Sequence, residues 1–195
     1  MSVLIVEGLT GTGKSSTIEA LQSLAAFRWF DEEATFDDFM TEFHADRDAA
    51  ARRARDCMAR ILDAVEANDP PHRFLLERFH FSQLALGSEP QWYETIGARC
   101  SALGARVAVL TLPDSALAAR SLYRREYGDE DWQGLIASSG SEAAALETLR
   151  NAQARRIEAV MQSGLEYSLV DTSAADWERY AREIAAWMNW RNDGA

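Results

Sequence analysis

An α/β fold is predicted: a five-stranded parallel sheet with helices on both faces, in one domain. Three observations carry this expectation. Apolar strand patterns alternate with helical patterns along the chain, the order that builds parallel sheets. Residues 8–15 read Gly-Leu-Thr-Gly-Thr-Gly-Lys-Ser, a complete GxxxxGKS phosphate-binding loop whose proper setting is between a strand and a helix. The chain has 195 residues, which suits one domain large enough to bury a core, and it shows neither an internal repeat nor a linker.

The elements follow in order. Val3-Leu4-Ile5-Val6 reads as a buried strand, and residues 16–24 as a helix with Ile18, Leu21 and Leu24 on one side. Residues 26–30 make a short second strand, followed by an acidic loop over 31–38. A long helix is predicted over 46–68. Its stripe is Ala54, Cys57, Met58, Ile61, Leu62 and Val65, the spacing of a core-facing surface, and Pro70-Pro71 stops it. A third strand covers 73–77, and residues 90–103 are helical. The clearest remaining strand is 106–112, where Pro113-Asp114 starts a helix running to about 127. Residues 128–141 are polar and rich in Gly and Ser, the composition of a lid segment. A helix over 142–163, a strand over 166–170 and a last helix carrying Trp177, Tyr180, Ile184, Trp187 and Met188 complete the chain.

The net charge of −11 argues against a protein that wraps a nucleic-acid polymer through a basic face. A small anion held by local arginines remains compatible with it. Cys57 and Cys100 lack CxxC spacing, which favours free thiols in a reducing compartment. No leader and no membrane-length apolar run is present, so a soluble cytoplasmic protein is expected. His44, His72 and His80 form no recognisable metal set. Trp92 and Tyr93 could line an acceptor pocket, although core packing is the favoured reading.

The loop residues Gly8, Leu9, Thr10, Gly11, Thr12, Gly13, Lys14, Ser15 and Ser16 would surround a nucleotide's phosphates. Backbone amides and the helix N-terminus supply the positive field. Lys14 would reach the β- and γ-phosphates, and the Ser15 hydroxyl would sit on magnesium. ATP and Mg2+ are therefore the expected cofactors. Glu77 ends a buried strand, where sites in parallel sheets lie. It can help hold magnesium, with Arg78 as a phosphate clamp; a surface ion pair is the alternative. Arg120 and Arg124 share a helix face, with Arg125 beside them. They either stabilise the transferring phosphoryl or form a solvated face paired with Glu126, Asp129 or Asp131.

Three ordered segments resemble the thymidylate kinase branch of the P-loop nucleotide kinases. Residues 6–15 are similar to its EGLEGAGK-type opening, Glu42-Phe43-His44-Ala45-Asp46-Arg47 to its F-x-x-D-R segment, and Glu77-Arg78-Phe79-His80-Phe81-Ser82 to its DRYxxS segment. Glu77-Arg78 is also similar to the ERS element of deoxynucleoside kinases. The resemblance implies a P-loop fold with strand order 2-3-1-4-5 and a possible homodimer. It implies that Phe43 stacks on a substrate base, with Arg47 at its edge. Arg78 would bind the acceptor and the transferring phosphoryl, Glu77 would assist magnesium, and the arginines of the 120–125 cluster would close over the donor phosphates. Residues 171–173 would border the adenine pocket. Phe43 could instead be core, and Arg47 could simply pair with Asp46. Two departures lie on the acceptor side. Thr10 replaces an acid, and Asp31-Glu32-Glu33-Ala34-Thr35 replaces R-E-P-G-G. Deoxynucleoside kinases use a glutamate near this place, so Glu32 or Glu33 could act as a base toward a hydroxyl acceptor; an ionised phosphate acceptor needs none.

The leading expectation is an ATP- and magnesium-dependent phosphotransferase acting on a nucleoside monophosphate or nucleoside. An alternative is the same chemistry on another small-molecule alcohol, such as an antibiotic or secondary metabolite. A nucleotide-dependent switch is a third possibility, but no guanine-reading N/TKxD element is present.

Overall fold

The computed structural model describes residues 1–36, 46–67, 72–122 and 136–190. Five parallel strands form one sheet in the order β2-β3-β1-β4-β5. They are β1 (Ser2–Gly8), β2 (Arg28–Phe30), β3 (Arg73–Glu77), β4 (Arg106–Thr111) and β5 (Glu166–Asp171). The predicted strand order and parallel pairing are both observed. The central strand β1 has Val3, Leu4, Ile5 and Val6 fully buried, because a parallel strand covered on both faces needs an apolar run rather than alternation.

Helices cover both faces. On one side α1 (Lys14–Gln22) and α8 (Trp177–Trp187) pack over Leu4, Val6, Leu75, Ala108 and Leu110. On the other, α3 (Arg47–Glu66), α4 (His80–Ala85), α5 (Glu94–Ala102) and α7 (Glu142–Gln162) pack over Val3, Ile5, Phe74, Leu76, Val107 and Val109. The long helix α3 begins where Asp46 Oδ1 accepts from the amides of Asp48 and Ala49, both at 3.0 Å, an N-cap. Its buried face is Ala50, Ala51, Ala54, Met58, Ile61, Leu62 and Val65. Cys57, expected on that stripe, is only half-buried, and its Sγ accepts from Arg60 Nη2 at 3.0 Å.

Several expectations are corrected. The α4 helix was not legible, because six residues are too short to display a period; packing against α7 selects it. Short α2 (Glu33–Phe36) breaks into the predicted acidic loop. Of the helix predicted from 114 to 127, the described residues are α-helical over α6 (Asp114–Leu117) and π-helical over Ala118–Leu122, while 123–127 lie outside the described residues. Within the proposed lid, residues 136–139 are helical, while 128–135 lie outside the described residues. So do Phe43, Arg124 and Arg125.

Candidate active site

The site begins at the carboxyl end of β1. Gly11 and Gly13 sit at φ 89° and 82°, left-handed values that glycine adopts without the cost a Cβ brings. Space imposes a second constraint. A Cβ on Gly11 would overlap the Arg120 carbonyl, and one on Gly13 would overlap the Trp177 ring. The loop closes on itself through Thr12 Oγ1, which donates to the Leu9 carbonyl at 2.8 Å. Lys14 Nζ reaches back to the same carbonyl at 3.4 Å. Gly13 leads directly into α1, so the first amides of that helix face the loop's hollow. Ser15 is exposed there and Ser16 half-exposed.

Parallel pairing of β1 with β3 places Val6 opposite Glu77, which brings Glu77 and Arg78 beside the loop. Arg78 Nη1 meets Glu32 Oε1 at 2.6 Å, and Nη2 donates to Thr10 Oγ1 at 2.8 Å. One cleft of ≈ 70 Å³ is lined by Thr10, Gly11, Gly13, Lys14, Ser15, Ser16, Glu32 and Arg78. A larger cavity of ≈ 600 Å³, lined by His80, Tyr93, Gly97, Arg155 and Glu158 among others, shares no residue with it. The smaller cleft is the candidate site, because there charged side chains converge on a phosphate loop.

Burial pushes the Lys14 ammonium down to about 7, aided by the Arg78 charge and opposed by Glu32 and Glu77. Glu77 is raised by burial, with Lys14 pulling the other way. Glu77 is 4 % exposed, and no hydrogen bond reaches its carboxylate from the described residues. A buried carboxylate lacking donors, near enough to Lys14 for the two to shift each other, fits a hard divalent cation. No group of three or more His, Cys, Asp or Glu assembles among the described residues, so phosphate oxygens and water would have to complete any magnesium shell.

Arg120 lies on the far side of the loop. Its Nη1 donates to the Thr172 carbonyl, and its guanidinium stands 5.0 Å from the centroid of the Trp177 ring. It therefore borders residues 171–173, the expected base pocket, rather than pointing at Arg78. Glu33 is exposed on α2 and is not among the cleft residues, so the structure separates it from Glu32. Arg47 is exposed at the first position of α3. Tyr93 is buried, as expected of core.

Sequence reasoning missed Glu7, Ser82, Arg156 and Trp177. Glu7 and Arg156 form a buried ion pair of 3.1 Å, and Ser82 Oγ donates to Glu7 at 2.6 Å. The available signals were a charged residue directly after the apolar run of β1 and the place of Ser82 in the DRYxxS-like segment. Arg156 had none, because nothing local distinguishes it from Arg155.

No family model matches the chain, and no curated protein matches it by sequence. Solved structures do match by fold. Thymidylate kinase from Candida albicans is 14% identical, with a TM-score of 0.64 over 96% of this chain and 91% of that one. Shikimate kinase from Acinetobacter baumannii, in complex with shikimate, is 15% identical, with a TM-score of 0.61 over 97% and 93%. Deoxyadenosine kinase from M. mycoides is 14% identical, with a TM-score of 0.54 over 96% and 98%. A complete phosphate loop on a parallel sheet of order 2-3-1-4-5, matched end to end by kinases of three substrate types, gives this chain the fold of the P-loop kinases.

Proposed function

We propose that the chain is an ATP- and magnesium-dependent phosphotransferase whose acceptor is a hydroxyl group, on a nucleoside or a small alcohol of similar size. The observation that carries this reading is the Arg78–Glu32 contact of 2.6 Å in the same cleft as Lys14. A phosphate acceptor would bring two negative charges against Glu32 and would compete with it for Arg78. A hydroxyl brings none, and gains from a carboxylate that can take its proton. The neighbours include kinases named for a nucleoside and for shikimate as well as thymidylate kinase, so the frame accommodates a hydroxyl acceptor, and the Glu32 contact is what favours one over a nucleoside monophosphate.

In this reading the loop amides and Lys14 grip the donor phosphates, and Arg78 bridges donor and acceptor. Arg120 and residues 171–173 border the base. Ser15 and Glu77 would hold magnesium, which offsets charge on the donor phosphates. Catalysis then consists of alignment and fixed positive charge around the γ-phosphoryl. The two free thiols support the cytoplasmic placement. A panel of nucleosides, nucleoside monophosphates and non-nucleotide alcohols, assayed for stimulated ADP release, tests the reading. Stimulation by hydroxyl acceptors is expected. Stimulation by monophosphates alone contradicts it.

A further inference from the structure

One buried charged pair beside the phosphate loop has no part in the phosphoryl chemistry above. Glu7, near the end of β1, is fully buried, and Arg156, on α7, is 5 % exposed. Arg156 Nε lies 3.1 Å from Glu7 Oε2 and its Nη2 donates to Ser82 Oγ at 3.3 Å. Ser82 Oγ in turn donates to Glu7 Oε2 at 2.6 Å, while Glu7 Oε1 accepts the Phe79 amide at 2.9 Å. A buried ion pair is seldom the most stabilising way to fill a core. Among the described residues this one also leaves Arg156 Nη1 buried without a hydrogen-bond partner, so stability alone does not account for it.

Its geometric consequence falls on Arg78. That residue has φ 49°, a left-handed conformation that a side chain with a Cβ disfavours and that surrounding contacts must enforce. Both flanking peptides are tethered to the end of β1. The Arg78 amide donates to the Val6 carbonyl at 3.0 Å, and the next amide is the one Glu7 holds. The turn thus aims the Arg78 guanidinium at Thr10 and Glu32. Arg156 fixes the carboxylate that makes the second tether.

We propose that Glu7 and Arg156 are positioning residues that hold the Arg78–Phe79 peptide so that the Arg78 guanidinium faces the phosphate loop. The proposal rests on the role given to Arg78 in phosphoryl transfer. It also joins α7 mechanically to the active site, since the same ion pair ties that helix to β1 and the β3–α4 turn.

A double-mutant cycle on acceptor-free Mg·ATP hydrolysis tests it, with Glu7→Gln, Arg78→Ala and both together. Glu7 accepts hydrogen bonds on both oxygens, and an amide can accept on only one, so Glu7→Gln costs, at constant shape, either the Phe79 tether or the Ser82 and Arg156 contacts that fix the side chain making it. Each single change is expected to slow hydrolysis about tenfold or more, and the double variant to match Arg78→Ala within about twofold. Mg·ATP affinity should change less than about threefold, whereas general loosening of the loop would weaken it in step with the rate. If Glu7→Gln is too unstable to assay, Arg156→Lys, which keeps a cation beside Glu7, takes its place in the cycle. Multiplying effects, or a Glu7→Gln enzyme as fast as the parent, overturn the positioning role. An Arg78→Ala enzyme as fast as the parent overturns the assignment of Arg78 as well.

Discussion

At the scale of single residues, two adjacent glutamates separate cleanly. Glu32 touches Arg78, while Glu33 is exposed on α2. Glu32→Gln should lower kcat by about 10²–10⁴-fold if it serves as general base, and Glu33→Gln should leave kcat unchanged. Equal losses, or none, in steady-state assays of both variants would remove Glu32 from that role. The sequence already marked Gly8 to Ser16, Glu77 and Arg78, because a phosphate loop and the carboxyl end of a buried strand are local patterns. It could not choose between Glu32 and Glu33, since that choice depends on where the chain after β2 meets the turn after β3. Glu7 and Arg156 were beyond it for the same reason: they are 149 positions apart, and only the fold brings them together.

At the scale of elements, legibility followed length. The twenty-residue α3 showed its stripe and its start, whereas the six-residue α4 had no period to show. Asp46 binds two amides of α3, so Asp46→Ala should cost ~1 kcal/mol of stability, read from urea unfolding at fixed m-value. An unchanged midpoint would mean the cap contributes nothing. Arg47 follows Asp46 directly, so fraying at that end would also disturb whatever Arg47 contacts. The π-helical turn at Ala118–Leu122 lays the Arg120 backbone across Gly11. Sequence propensity offers no signal for such a turn, which close packing on the loop imposes.

For the whole molecule, alternation and one motif were enough to anticipate the parallel sheet and its two helical layers, while the strand order came from the resemblance to the thymidylate kinase branch. The acceptor was not legible in this way, because kinases of a nucleotide, a nucleoside and shikimate share the same frame and differ in the groups that line its clefts. Global stability carries its own marker in His80, which burial pushes down to about 3. The folded state keeps His80 neutral while the unfolded chain protonates it near pH 6.5, so stability falls as pH drops from about 6.5 towards 3. At pH 5 the loss from this group is about 2 kcal/mol relative to pH 7. His80→Phe should reduce that part of the acid sensitivity in urea titrations at the two pH values; an unchanged difference would place the acid sensitivity elsewhere.

The loop around Lys14 is expected to bind the phosphates of a nucleotide. Lys14 is held to about 7 by burial, so at pH 8 it is largely neutral before the anion arrives and is expected to take up a proton when Mg·ATP binds. Calorimetric titration of Mg·ATP at pH 8, in two buffers of different ionisation enthalpy, measures affinity and proton uptake together. Saturable binding with net proton uptake is expected, and in Lys14→Met a weakening of about tenfold or more with the uptake gone. No saturable heat at millimolar ATP or GTP, or the same affinity and uptake in Lys14→Met, would contradict it.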